Sequence, residues 1–284
     1  PRFAIAARQL AASRPDGTGA FAARMAQGQL ELVRNERAAR GPAFLEQVSV
    51  RTTSDLRESL RAFESGTDDV GWLGAGLFAR RAGATSFDFG AAGYVVLRVG
   101  ERAGPQARLG AAQQWVDGVP SERIAHLGLG ERPARAGPSP PAEARELFVE
   151  QGAPYLEELA RALAPALVVD GGPAISVRVA PRADVVARSR RDAMALLFVR
   201  PFDASVEGLR IALAEIDDAP HARELASRLT GVAQPMAAGV ARTLTAGMRL
   251  GVVGAVRVTG GLAAGFRLVA DPAGGWDLGA SHRS

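Results

Sequence analysis

The chain of 284 residues contains no cysteine, no lysine, only three histidines and 6% aromatic residues. Without cysteine there can be no disulfide, no zinc–thiolate site and no thiol nucleophile. Without lysine there is no G-K-[ST] phosphate loop. The 34 basic residues are therefore all arginine, set against 30 aspartates and glutamates for a net charge of +4. Arginines and acids are interspersed and form no basic block. The pI near 10.6 thus reflects a bias toward arginine and alanine, and no nucleic-acid partner is expected. No run of about eighteen apolar residues occurs, so no stretch reads as a membrane-spanning helix. Membrane contact is expected only through a partner or a lipid anchor outside this sequence. The chain opens Pro1-Arg2-Phe3 with no charged and apolar leader, so any signal peptide is expected to have been removed or to lie upstream.

What is present is a globular composition, 47% hydrophobic and 23% charged, long enough for one large domain or two lobes. The segment Gly17 to Arg51 sets the frame. Gly17-Thr18-Gly19 is a turn signal. Gln29 to Arg34 and Val48 to Arg51 alternate apolar with polar residues as half-buried strands do, and the group Arg40-Gly41-Pro42 breaks the chain between them.

Further along, Thr52 to Asp55 offer N-cap candidates for a short amphipathic helix carrying Leu56, Leu60 and Phe63 and ending at Gly66, and Thr67 to Leu73 reads as a turn entering a buried strand. Gly93 to Val99 reads as a strand and Gln106 to Val116 as a helix, with a new helix starting near Pro120-Ser121. Residues 129–141, rich in Gly, Pro and Arg, read as loop. Ala142 to Glu150 and Pro154 to Leu163 are expected to be helical. Ala174 to Val179 alternates as a strand, Arg182 to Arg191 reads as a helix, and the continuous apolar run Met194 to Val199 predicts a strand buried on both faces. Helices are expected over Leu209 to Ile216, Ala222 to Leu229 and Val232 to Thr245, then strands over Leu250 to Val258 and Phe266 to Ala270. Strands alternating with helices define an α/β protein with mixed sheets.

Catalytic signatures are lacking. His126, His221 and His282 stand in three separate surroundings, none at metal-ligand spacing with another ligand type. No serine sits in a G-x-S-x-G elbow. The glycines at 71, 74 and 76 and at 251 and 254 do not form G-x-G-x-x-G and read as turns or close-packed backbone. The carboxylate pairs Asp68-Asp69 and Asp217-Asp218 read as turn acids or solvated helix ends. Arg200-Pro201-Phe202-Asp203 leaves the end of the buried run, where ligands commonly bind in α/β sheets. This charged pair would either hold a ligand's amine or carboxylate or be satisfied by itself and solvent.

The order of these pieces is similar to that of family 5 extracellular solute-binding proteins, the peptide, dipeptide and nickel binders of ABC importers. GTGAF, LELVRN and GPAFLEQVSVR resemble that family's Gly-Thr-Gly turn, the strand ending in Asn, and the Gly-Pro connector. Leu56 to Val70, Gly93 to Arg98, Ala107 to Ile124 and Met194 to Asp203 follow in the family's order, and the resemblance covers most of residues 15–215. Here Leu97-Arg98 stands where the family has Phe-Asn, and the tryptophan near the position of Asp203 is absent.

The resemblance implies a two-lobe periplasmic-binding-protein-like (type II) fold with an incomplete first lobe. The first lobe is expected from 1–95 with 255–284 and the second from 96–254. It further implies an extracytoplasmic receptor, periplasmic or at the cell envelope, that captures a small solute or a peptide between the lobes. Such a receptor would deliver its ligand to ABC transporter permease subunits, with no catalytic residue, no metal and no cofactor. Trp72, Tyr94, Arg98, Arg200 and Asp203 are the expected ligand-facing residues, Asp203 falling near the carboxylate that holds a peptide's amine. A ligand-sensing or protein-interaction module derived from the same fold, with no transport role, is the alternative.

Overall fold

The computed structural model describes residues 19–26, 29–51, 56–72, 81–102, 109–124, 129, 145–168, 174–191, 193–201, 205–217, 221–232, 237–270 and 276–283. The chain divides into two compact units. The first contains 1–73, 78–87 and 260–284, and the second 74–77 and 88–259. The expected N-caps at 52–55, the loop 130–141 and His126 lie outside the described residues.

In the first unit, β1 (Phe21–Ala26), β2 (Gln29–Arg34) and β3 (Gln47–Val50) form an antiparallel sheet in that order. Phe21 pairs with Arg34, and Leu32 with Val48. Gln29 to Arg34 therefore forms the strand that its alternation predicts, with Leu30 to Arg34 all partly buried. Asn35 closes the turn region, its side-chain amide donating to the Gly19 carbonyl at 2.9 Å and its Oδ1 accepting from the Arg37 amide at 3.0 Å. Helix α1 (Leu56–Glu64) follows and stops at Gly66, whose φ of 80° only glycine adopts at little cost. Strand β4 (Val70–Trp72) then pairs with the last residues of β9 (Leu250–Leu262), Val70 opposite Leu262. Phe63 of α1 is fully buried here, and Arg81 lies over its ring at 5.1 Å while donating to the Asp68 carbonyl at 2.7 Å. The hairpin β10 (Phe266–Ala270) and β11 (Trp276–Arg283) completes the first unit.

The second unit holds both contiguous apolar cores. Its sheet has the order β9, β5 (Thr85–Val99), β8 (Met194–Val199), β6 (Glu146–Glu150), β7 (Ser176–Ala180). β5 runs antiparallel to β8, whereas β6 lies parallel to both β8 and β7. Helices cover both faces. Val95, Leu97, Met194, Leu196, Leu147 and Val149 face α2 (Ala111–Gly118) and α3 (Pro154–Leu163). Tyr94, Val96, Ala195, Leu197 and Phe148 face α4 (Arg182–Arg191), α5 (Val206–Ala214), α6 (Ala222–Arg228) and α7 (Ala238–Thr245). The apolar run over β8 thus has its predicted environment: a strand with helices on each side has no solvent face to offer a polar residue.

One helix expectation is overturned. Residues 146–150 of the expected helix 142–150 are β6, an interior strand of the sheet. Ala and Glu before it favour helix locally, but Leu147-Phe148-Val149 places consecutive apolar side chains into both cores, which a strand permits and a half-exposed helix does not. The helix expected after Pro120 is a single 3₁₀ turn, Ser121–Arg123, closed by the Ile124 amide on the Ser121 carbonyl at 3.2 Å. Strands β1 and β11 have no counterpart in the expectations, and β5 begins earlier than its apolar run.

Leu197 is fully buried at the centre of the second unit's sheet. Leu197→Ala is expected to lower the unfolding free energy by about 2–5 kcal/mol, read from urea denaturation. Leu109→Ala, at a side chain 58% exposed, should change it by less than about 0.5 kcal/mol.

Candidate functional site

Strand β5 carries two of the five expected ligand-facing residues, Tyr94 and Arg98, and a third, Arg200, immediately follows β8. Tyr94 stands opposite Val199 in the register, and Arg200 follows Val199 directly, so both occupy the carboxyl end of β8. The approach of the strands there depends on Gly93: a Cβ on it would lie 2.5 Å from the Val199 carbonyl oxygen and 2.7 Å from the Phe198 ring. Arg200 is exposed and has no side-chain partner among the described residues. Tyr94 is fully enclosed in the apolar core, and its hydroxyl has no hydrogen-bond partner among the described residues. Burial pushes its phenol pKa up, so the side chain stays neutral at physiological pH.

Arg98, expected to face a ligand, is instead part of the scaffold. It shares the face of β5 that carries Tyr94 and Val96, and it is 3% exposed. Its guanidinium donates to the Ser189 carbonyl in α4 and, at 3.0 Å, to the Asp217 carboxylate beyond α5. The other carboxylate oxygen accepts the Arg249 amide at 2.7 Å, and the Arg249 carbonyl in turn accepts the Val99 amide at 3.0 Å. One buried ion pair therefore fastens the end of β5, the start of β9 and two helix termini. Desolvation pulls the Arg98 pKa down, and the Asp217 charge and hydrogen bond act against it. A solvated helix end is what Asp217 resembles in the sequence; nothing local marks it as the partner of a residue more than a hundred positions earlier.

Trp72 is the last residue of β4, opposite Gly260, and belongs to the first unit. Its side chain and the whole of Asp203 lie outside the described residues. Of the expected ligand-facing residues the structure thus leaves Arg200 exposed and puts both Tyr94 and Arg98, each expected to face a ligand, inside the scaffold. His221 contacts the Ala246 carbonyl through Nε2 at 2.9 Å, and His282 lies 5.8 Å from the Phe44 ring. Among the described residues there is no group of three or more His, Asp or Glu arranged to hold a metal ion.

Two surface hollows lie elsewhere. One of about 780 Å³ in the first unit is lined by Phe44, Leu45, Gln47, His282 and Arg283. The other, about 500 Å³ in the second unit, lies along β7 and α4 and includes Phe148, Arg178, Asp184 and Arg191. In the latter, Arg178 is matched by Glu146 at 3.2 Å, so the lining is largely self-neutralised.

No family model matches the sequence, and no curated protein matches it either. Solved structures do match. The dipeptide-binding protein of Pseudoalteromonas sp. SM9913, determined in complex with Met-Leu, aligns with a TM-score of 0.69 and 12% identity over 95% of this chain and 65% of its own. NikA of Staphylococcus aureus, in complex with Ni(L-His)2, gives 0.62 and 12% over 94% of this chain and 69% of its own. The oligopeptide-binding protein AppA of Bacillus subtilis, in complex with a nonapeptide, gives 0.61 and 11% over 94% and 66%. The fold defined by the two units is therefore that of the two-lobe periplasmic binding proteins. This chain spans about two thirds of the length of these matched structures.

Two substitutions test the assignment of scaffold residues. Asp217→Ala leaves a buried arginine uncompensated and is expected to cost about 3–5 kcal/mol, whereas the pair Arg98→Met with Asp217→Leu should cost far less. Urea denaturation of the single and the double variant reads the difference. Tyr94→Phe removes a buried hydroxyl that has no partner among the described residues and should leave stability unchanged or raise it by about 1 kcal/mol, measured the same way.

Proposed function

We propose that this chain is the solute-capturing part of an extracytoplasmic ABC-importer receptor whose ligand is a short peptide or a similarly small polar solute. The observation that carries this reading is the alignment of nearly the whole chain with a dipeptide-binding protein holding Met-Leu. The first lobe is drawn from 1–95 with 255–284 and the second from 96–254. In this reading the protein makes and breaks no bonds. It binds, and its liganded form is presented to permease subunits outside the cytoplasm.

Arg200 is the residue we assign to ligand contact within the described structure, because it is exposed, cationic and without a partner among the described residues at the carboxyl end of a buried strand. A guanidinium there suits a carboxylate, with which it forms charge-assisted hydrogen bonds. Asp203 supplies the opposite charge for an amine, and Trp72 an aromatic surface. Tyr94 acts beneath Arg200 as a rigid, neutral support and does not touch the ligand.

A thermal-shift screen of the chain against di- to pentapeptides, Ni(II) with histidine, and sugars tests the proposal. A ligand at about 100 times its Kd adds about 2.7 kcal/mol to folding stability and raises the melting temperature by several degrees. The expected result is a shift with peptides that Arg200→Ala weakens about tenfold in affinity while leaving the unliganded melting temperature unchanged. No shift with any of the three ligand classes would overturn the transport reading in favour of an interaction module on the same fold.

A further inference from the structure

The end of β8 that leads into Arg200 also carries an aromatic ring that the core leaves half open. Every residue of β8 is buried except Phe198. In the register Phe198 stands opposite Val95, yet its ring reaches two residues further along β5, where a Cβ on Gly93 would lie 2.7 Å from the ring tip. An aromatic side chain spans such a diagonal between strands. Tyr94 pairs with Val199, so Gly93, the residue before it, stands across from Arg200, the residue after Val199. The ring therefore leans toward the end where the arginine stands. Arg200 precedes Pro201, which holds it extended, so the alternation of β8 runs on and puts Arg200 on the face that carries Phe198. The apolar layer on that face also runs out here. Leu196 and Val149 are fully buried, whereas Phe198 is covered only in part, as are Ala153 and Tyr155 where α3 begins, just beyond the end of β6, the parallel neighbour of β8.

We propose that Phe198 and Arg200 form one subsite, for a residue that carries an apolar side chain beside a free carboxylate, as the C-terminal residue of a short peptide does. The inference rests on the ligand-contact role assigned to Arg200 above and adds what must accompany the carboxylate. An exposed guanidinium by itself accepts any anion and selects little. A half-open aromatic ring beside it sheds its remaining water only against an apolar group. Two positions along an extended strand are about 6.6 Å apart, and the carboxylate and side chain of one amino-acid residue diverge from a single Cα, so one residue of the ligand reaches both. Inorganic anions and sugars lack the second group. Phe198 thus selects which peptides bind well, and Arg200 makes them bind by their C-terminus. Gly93 completes the arrangement, because a side chain there would drive into the Phe198 ring and the Val199 carbonyl oxygen.

Calorimetric titration of the 284-residue chain with alanine-based di- to pentapeptides ending in leucine or in serine, each with a free or an amidated C-terminus, tests the subsite. The leucine series is expected to bind about tenfold more tightly than the serine series, and amidation to weaken both about tenfold. Phe198→Ala should bring the leucine-to-serine ratio below about twofold, and so should Phe198→Gln, whose longer side chain keeps the core filled where the smaller one prevents folding. Arg200→Ala should weaken both series alike and keep the ratio. Equal binding of the two series by the unaltered protein would overturn the inference while leaving the peptide reading standing, as would a preference that survives both Phe198 variants. Binding of no peptide at all would overturn the two together.

Discussion

A strand whose side chains are apolar on both sides can exist in water only if both sides are clothed, and the second unit is arranged around that requirement. Met194 to Val199 offers no polar face, so one set of helices packs on Met194 and Leu196 and another on Ala195 and Leu197. Once β8 is enclosed in this way, its neighbours β5 and β6 inherit the same environment. Val95 to Leu97 and Leu147 to Val149 are correspondingly apolar without alternation, and the parallel partners need helical crossovers, which supply the layers. Burial of a strand and the helices that bury it are one constraint seen from two directions.

Within so apolar a frame the placement of a buried ion pair is informative. Arg98 follows Val95, Val96 and Leu97 on the same strand and is enclosed among helix ends. Its charge is tolerable because Asp217 and the Ser189 carbonyl meet it. The carboxylate also takes up the Arg249 amide, so the element that neutralises the charge joins β5 to β9 as well. Arg200, one residue past the opposite end of the same strand pair, is under no such obligation and remains available to solvent. Burial and partnership therefore separate two arginines that look alike in sequence: the first holds strands in register, and the second is exposed where a ligand could meet it.

How far this was legible in advance depended on the range of the determining interaction. Gln29 to Arg34, Leu56 to Glu64 and Met194 to Val199 are specified by their own periodicity, and each forms the element that its pattern implies. Glu146 to Glu150 is not, because its strand state is imposed by pairing with residues 176–180 and 194–196, far away in the chain. Strand β1 escapes notice because alanines blur its alternation. The order of the pieces was enough to suggest the periplasmic binding fold, since that order reflects topology more than local chemistry. The site was less legible. A charged residue in an apolar run signals function or internal pairing equally well, and for Arg98 only the position of Asp217 decides between them.

The pairing of β4 with the end of β9 bears on how the protein comes into being. Val70 meets Leu262, and the first unit is assembled from segments at both ends of the chain. The second unit, by contrast, is drawn almost entirely from a continuous stretch, 88–259. During synthesis the sheet of the second unit can condense as soon as that stretch has emerged, while β4 has no partner until the final residues of β9 follow it. Closing the first unit therefore depends on a contact between residues about 190 positions apart in the chain, whereas the second unit draws on one nearly continuous stretch.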